Sequence, residues 1–217
     1  MAEPDLVARC VEAMRNATDL PVTVKHRIGI DDLDSDELLT AFVDRVASAG
    51  ANRFSVHARK AWLDGLDPKQ NRTIPPLQHD RVQALKQRRP HLTIELNGGL
   101  ESPKDCLKAL ESCDGAMVGR AAYSHPLRWA AMDHLVFGKP PRDVLASDVV
   151  TGLLPHAAAH LSRGGRLWDL CRHLVQLVEG VRGARHWRRE LGDRAQRPGA
   201  DLTVLEEAGR QLRETGL

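Results

Sequence analysis

Two glycine-bearing segments of this sequence stand where an apolar run ends: Asn97-Gly98-Gly99 after LTIEL, and Gly119-Arg120 after GAMV. Adjacent glycines let a backbone approach a ligand closely and offer N–H groups that no side chain shields, while an arginine adds a bidentate partner for phosphate oxygens. Together they read as a phosphate-binding end. Taken singly, a Gly-Gly pair reads as well as a tight turn. Lys25 stands near the end of VTVKHRI, on the strand face that carries Thr23 and Arg27. A lysine inside a parallel barrel needs an anion or an electron-rich acceptor, such as a flavin ring that becomes anionic on reduction; a strand-end lysine can also reach back to water. His57 closes the next strand, as a ligand contact or as a satisfied structural group.

A second set of residues has the makings of RNA recognition. Arg59, Lys60, Trp62, Lys69 and Arg72 mix cations with an aromatic ring in one polar insertion, and Arg185, Arg188 and Arg189 surround Trp187 in RGARHWRRELG. Cations serve phosphates and planar groups serve bases. A solvated loop explains the first cluster nearly as well. The second lies in a window that also holds Arg163, Arg166, Arg172 and Arg182 against only Asp169 and Glu179, which favours a polyanion partner. Arg185 and Arg188, three apart, would share a helix face. His156 and His160 are four apart, but no Glu follows the first and no third ligand accompanies them, so no metal is expected.

The elements that must position these residues follow from periodicity. A helix is expected over PDLVARCVEAMRNA, a strand over PVTVKHRI, a helix over DELLTAFVDRVASAG with Asp34 or Ser35 as cap, and a strand over NRFSVHA. After the insertion RKAWLDGLDPKQNRTIPPL come a helix at DRVQALKQRR, the strand LTIELNGG, a helix capped by Ser102 with Pro103 and Asp105 behind it, and the strand GAMVGR. Strands alternating with helices imply parallel pairing and an α/β fold. Beyond GKPPRD the strand signal stops and LASDVVTGLLPHAAAHL, GRLWDLCRHLVQLVEG and DLTVLEEAGRQLRE read as helices, so a boundary is expected near residues 139–143.

Composition restricts the classes. At 217 residues, 42% apolar and 28% charged, the chain can bury a proper core, and a net charge of +2 means that any basic surface comes from distribution. Cys10, Cys106, Cys113 and Cys171 form no CxxC pair, which speaks for reduced thiols. There is no membrane-length apolar run and no signal-peptide core in MAEPDLVARC, so a cytoplasmic protein is the expectation.

The segments PVTVKHRIGIDD, VHARKAWLDGLDPKQNRTIPPL, LNGGL, DGAMVGRAAYSHP and GARHWRREL, in this order, resemble the tRNA-dihydrouridine synthases, and in particular their A subfamily, from the first residues to about residue 200. The resemblance implies the C-terminal half of a (β/α)₈ TIM barrel over residues 1–140, followed by an all-α tRNA-binding domain over 141–217. It implies FMN as cofactor, NADPH as reductant, and reduction of the C5–C6 bond of D-loop uridines 20 and 20a in tRNA. By matched position, Lys25, His57, Asn97, Gly98, Gly99, Gly119 and Arg120 would contact FMN, and Lys69, Arg72, Arg185 and Arg188 would contact tRNA. The family's catalytic cysteine and an asparagine are expected upstream of Met1, so this chain is expected to be N-terminally truncated and inactive alone, the whole enzyme working as a monomer. The alternatives are a tRNA-binding fragment without catalysis and another FMN or phosphate-binding barrel enzyme.

Overall fold

A computed structural model describes residues 1–180 and 183–217; Arg182, one of the arginines of the basic window, lies outside them. The polypeptide divides into two compact units, residues 1–119 and 120–217.

The first unit is α/β. Helix α1 (Pro4–Ala17) opens with a proline in its first turn and buries Ala8 and Val11, while Leu6 and Met14 of the same helix stay exposed. Strands β1 (Val24–Arg27), β2 (Arg53–His57), β3 (Thr93–Asn97) and β4 (Gly115–Met117) form one parallel sheet in the order β1-β2-β3-β4. Each crossover carries a helix: α2 (Asp36–Ala47), α3 (His79–Arg88) and α4 (Pro103–Leu110). Ser35 caps α2, its Oγ accepting from the Leu38 N–H at 3.1 Å. Asp34, the other cap candidate, instead pairs with Arg81 and Lys60. Ser102 and Asp105 form the expected capping box on α4.

Register separates the sheet into two chemically distinct faces. Phe54, Val56, Ile94 and Leu96 point to one side and are almost completely buried with Phe42, Val43 and Val46 of α2. The opposite side carries two cross-strand rows, Lys25–Ser55–Glu95–Gly115 and, one step nearer the C-terminal edge, Arg27–His57–Asn97–Met117. An apolar face thus takes the helices, and a polar one holds the candidate site residues.

The second unit is all helical: α5 (Arg120–Ser124), a 3₁₀ turn (Pro126–Trp129), α6 (Met132–Phe137), α7 (Ala146–Ser162), α8 (Trp168–Leu174), α9 (Ala184–Ala195) and α10 (Leu202–Glu214). Val150, Leu167, Cys171, Leu191 and Leu205 form its buried centre. Gly209 lets α10 run close to α7, since a Cβ there would lie 3.0 Å from Val150. The proline-rich stretch 139–143 lies between α6 and α7, inside this unit, and the compact division falls earlier, after Gly119. Leu127 explains the difference: it packs against the helical core and draws residues 120–137 to that side.

Candidate cofactor and RNA-binding site

Because all four strands run parallel, Arg27, His57, Asn97 and Met117 gather at one edge of the sheet, the C-terminal edge at which open α/β sheets bind ligands. Asn97 is buried; its Nδ2 donates to the Met117 carbonyl at 2.7 Å and its own carbonyl accepts from Ala58 N–H at 2.9 Å, so it ties three strand ends together. Gly98 and Gly99 follow with φ of +105° and +71°, a region that costs any residue with a Cβ. A Cβ on Gly98 would come within 3.2 Å of the His57 ring, and one on Gly99 within 2.5 Å of Leu77. The turn reading of this pair is therefore correct as far as it goes: backbone conformation and packing against Leu77 require glycine here. The loop is also held from below, where His79 Nε2 donates to the Gly98 carbonyl at 2.8 Å. His57 touches this loop, so the structure brings His57, Asn97, Gly98 and Gly99 together.

Gly119 differs. A Cβ there would meet nothing within 4 Å among the described residues, and its φ is not in the left-handed region, so packing within the chain does not demand a glycine. Arg120 opens α5 and belongs to the second unit.

Lys25 lies one register step back from the edge, exposed on the polar face, and among the described residues it has no hydrogen bond or ion pair. Partial desolvation, with the nearby charge of Arg27, lowers its pKa from the usual lysine value. Glu95 in the same row does not neutralise it. That carboxylate takes the Ser55 hydroxyl and the Arg53 guanidinium, whose Nε approaches to 2.6 Å.

The insertion between β2 and α3 is an ordered loop built on a 3₁₀ turn, Gln70–Arg72. Asp67 Oδ1 accepts from the N–H groups of Lys69 and Gln70, both at 2.7 Å. Its four cations, grouped with Trp62 in the sequence, divide into two kinds. Lys60 pairs with Asp34 at 3.0 Å, within a chain of charges that runs through Arg81 and Asp36 to Arg88, and Arg59 donates to the carbonyls of Thr73 and Pro75. Trp62 lies under the Lys60 ammonium, 5.7 Å from it. Lys69 and Arg72 are exposed, and among the described residues neither is ion-paired.

Helix α9 shows the same division. Arg194 pairs with Glu207 at 2.6 Å and Arg189 lies 3.8 Å from Glu190, whereas Arg185 and Arg188 are exposed with no acidic partner among the described residues. Trp187, which sequence placed among possible RNA contacts, is 5% exposed and donates its Nε1–H to the Leu174 carbonyl at 2.9 Å. It anchors α9 to the C-terminal end of α8. Sequence reasoning missed the residues that hold the loops: Asn71, Leu77 and His79. Each lies within or just beyond the insertion, and only their contacts reveal them.

The dihydrouridine synthase family model matches residues 1–212. Three tRNA-dihydrouridine(20/20a) synthases show the extent of the similarity. That of Shewanella oneidensis is 48% identical over 208 residues, covering 96% of this chain and 62% of the relative. That of Synechocystis is 46% identical over all 217 residues and 63% of its own length, and that of Escherichia coli K12 is 47% identical over 209 residues, 96% of this chain and 61% of its own length. The chain thus spans somewhat under two thirds of the length of the curated relatives it matches. With the site residues arranged as above and a family match across nearly the whole sequence, the chain belongs to the dihydrouridine synthase family and resembles its A subfamily.

Proposed function

We propose that this chain carries part of the flavin- and tRNA-binding surface of a tRNA-dihydrouridine synthase, a cytoplasmic, monomeric enzyme that uses NADPH to reduce D-loop uridines 20 and 20a. The observation that carries the reading is the sheet edge itself. It collects a histidine, a glycine loop and a lysine with no ion pair among the described residues on one polar face of a parallel sheet, and the four cations of the family's RNA-binding positions have no acidic partner among the described residues. In this reading the four strands are the last four of a (β/α)₈ barrel and the helical unit is the RNA-binding domain.

The residues fit FMN. Gly119 offers open space for close approach, Gly98 and Gly99 hold a bare backbone beside His57, and Lys25 is a partly desolvated cation in want of an anion. By matched position we assign Asn97, Gly98 and Gly99, and likewise Gly119 and Arg120, to the phosphate end of FMN, and Lys25 and His57 to its other contacts, Lys25 to the ring. Bound FMN would supply the two-electron chemistry, taking hydride from NADPH and passing it to uridine C6. Lys25 would offer positive charge to an electron-rich ring bound on this face. Lys69, Arg72, Arg185 and Arg188 bind the tRNA backbone and so determine which uridine reaches the ring, a base that must leave its stack to do so.

Proton donation at C5 is assigned to none of the four cysteines. No cysteine lies in either polar row, and Cys106, Cys113 and Cys171 are buried, their thiols pushed up by desolvation, that of Cys171 to about 11. By itself the chain is therefore expected to bind rather than catalyse. Titration of FMN into the chain should quench flavin fluorescence. Lys25→Met and Gly119→Val should weaken that binding several-fold without lowering the melting temperature, whereas Gly99→Ala should lower it. Wild-type affinity in both Lys25→Met and Gly119→Val would overturn the flavin assignment, and dihydrouridine restored by the chain alone in a strain lacking the 20/20a synthase would overturn the catalytic one.

A further inference from the structure

Arg27 occupies the edge row with His57 and Asn97, and its guanidinium reaches off the sheet into the insertion. One nitrogen, Nη1, donates to the Lys60 carbonyl and to the Asn71 carbonyl, each at 2.9 Å. It thereby joins the two ends of the loop that contains Lys69 and stops just before Arg72. Asn71 closes the same loop from inside. Its Nδ2 donates to the carbonyls of Trp62 at 2.6 Å and Leu66 at 3.2 Å, and its Oδ1 accepts from the Trp62 N–H at 2.8 Å. Two carbonyls face the amide nitrogen and one N–H faces the oxygen, so the amide orientation follows from its surroundings. The side chain is buried, where leaving any of these groups unsatisfied would be costly.

Charge makes the arrangement more pointed. Arg27 sits near Arg59 and Arg72 with no carboxylate bonded to it among the described residues, so it is held by neutral carbonyls against like-charge repulsion. A side chain retained there for stability alone would do better with an acidic partner or no charge at all. Its effect is to fix the backbone of residues 60–71 relative to the strand edge, and with it the origin of the two unpaired cations.

We propose that Arg27 is a positioning residue, a strut that with Asn71 sets Lys69 and Arg72 at a fixed distance from the cofactor edge so that phosphate binding and base placement are coupled. The inference rests on the reading of Lys69 and Arg72 as RNA contacts. A strut differs from a direct phosphate ligand in that it depends on where the planar guanidinium places Nη1, between the Lys60 and Asn71 carbonyls, rather than on the charge alone.

The test is tRNA binding to this chain, measured across a salt series, for Arg27→Lys, Arg27→Gln, Asn71→Asp and Lys69→Ala/Arg72→Ala. Removing Lys69 and Arg72 should reduce the slope of log affinity against log salt by about two, about one for each phosphate no longer neutralised. Arg27→Lys, which keeps the charge, should lose most of that same slope, as should Arg27→Gln and Asn71→Asp. Adding either Arg27 change to the Lys69/Arg72 double variant should cost nothing further, and trypsin should cut after Lys69 and Arg72 several-fold faster in all three strut variants. Wild-type binding by Arg27→Lys with a drop of about one in Arg27→Gln would make Arg27 a direct phosphate ligand and overturn the strut. Additive losses would do the same. If instead the Lys69/Arg72 double variant binds like wild type, the RNA reading of the loop fails, and undiminished loop protection in Arg27→Lys then overturns the strut as well.

Discussion

His26 shows how one residue can report on the fold without belonging to the site. It alternates with Lys25 and Arg27 along β1 and so faces the helices, edge-on to Phe42 at 5.0 Å and near Phe54 at 5.9 Å. Its Nδ1–H donates to the Arg27 carbonyl at 2.7 Å, while Nε2 is buried with no partner among the described residues. Protonation would place an N–H where nothing accepts it, and desolvation accordingly lowers its pKa from 6.5 to about 4. Between those values the unfolded chain binds the proton and the folded one does not, so stability is full above pH 6.5 and falls as pH drops toward 4. The loss should approach ~3 kcal/mol at pH 4. Asp34, Asp36 and Asp44, whose pKa values are lowered below 3.8 by arginine and lysine partners, weaken the fold only at still lower pH. Urea unfolding at pH 7 and pH 4.5 should show the difference, and His26→Leu should flatten it; an unchanged pH dependence in that variant would place the titration elsewhere. At this scale the sequence revealed chemistry better than support. Lys25, His57 and the glycines stood out by type, whereas Asn71 and Leu77 are ordinary residues whose meaning comes from partners such as Arg27, 44 positions away from Asn71.

Among the elements, those with two turns or more of clean periodicity or a strong cap were legible in advance. The capping box of α4 and the apolar stripes of α2 and α10 are local signals, and the structure agrees with them. The short helices α5 and α6, five and six residues long, have too few turns for a period to show, and they went unread. The helix expected across GRLWDLCRHLVQLVEG is regular only over Trp168–Leu174, and Leu177 and Val178, beyond its end, are buried in the core of the unit. For α9, sequence supplied a cluster of arginines, and pairing now divides it. Arg185→Ala/Arg188→Ala should weaken tRNA binding and lower the salt slope by about two. Arg194→Ala should leave binding unchanged and cost at most about 1 kcal/mol, since its pair with Glu207 is partly exposed. Equal effects of the two sets in a gel-shift titration would mean that pairing does not select the RNA contacts.

For the whole molecule, the open matter is where the helical unit begins, and two physical signals disagree. Proline and glycine at residues 138–141 interrupt the chain, which is how sequence placed the boundary. Packing places it earlier, because Leu127 joins the core of Val150, Leu174 and Leu205 and His125 pairs with Glu179. The second signal should govern stability, since a chain break costs nothing if no buried surface crosses it, whereas removing a half-buried leucine exposes both it and its neighbours. A fragment of residues 120–217 should therefore fold cooperatively on its own. One of residues 141–217 should be less stable by about 1–2 kcal/mol, the worth of the leucine surface it gives up. For a unit of this size that corresponds to a melting temperature lower by roughly 5–10 °C. Both fragments contain Arg185 and Arg188 and should bind tRNA with the slope those two contribute, short of the intact chain by the part assigned to Lys69 and Arg72. Identical melting of the two fragments would return the boundary to residues 139–143 and reduce Leu127 to a passenger. A fragment 120–217 that melts without cooperativity would show that the helical core is not self-sufficient.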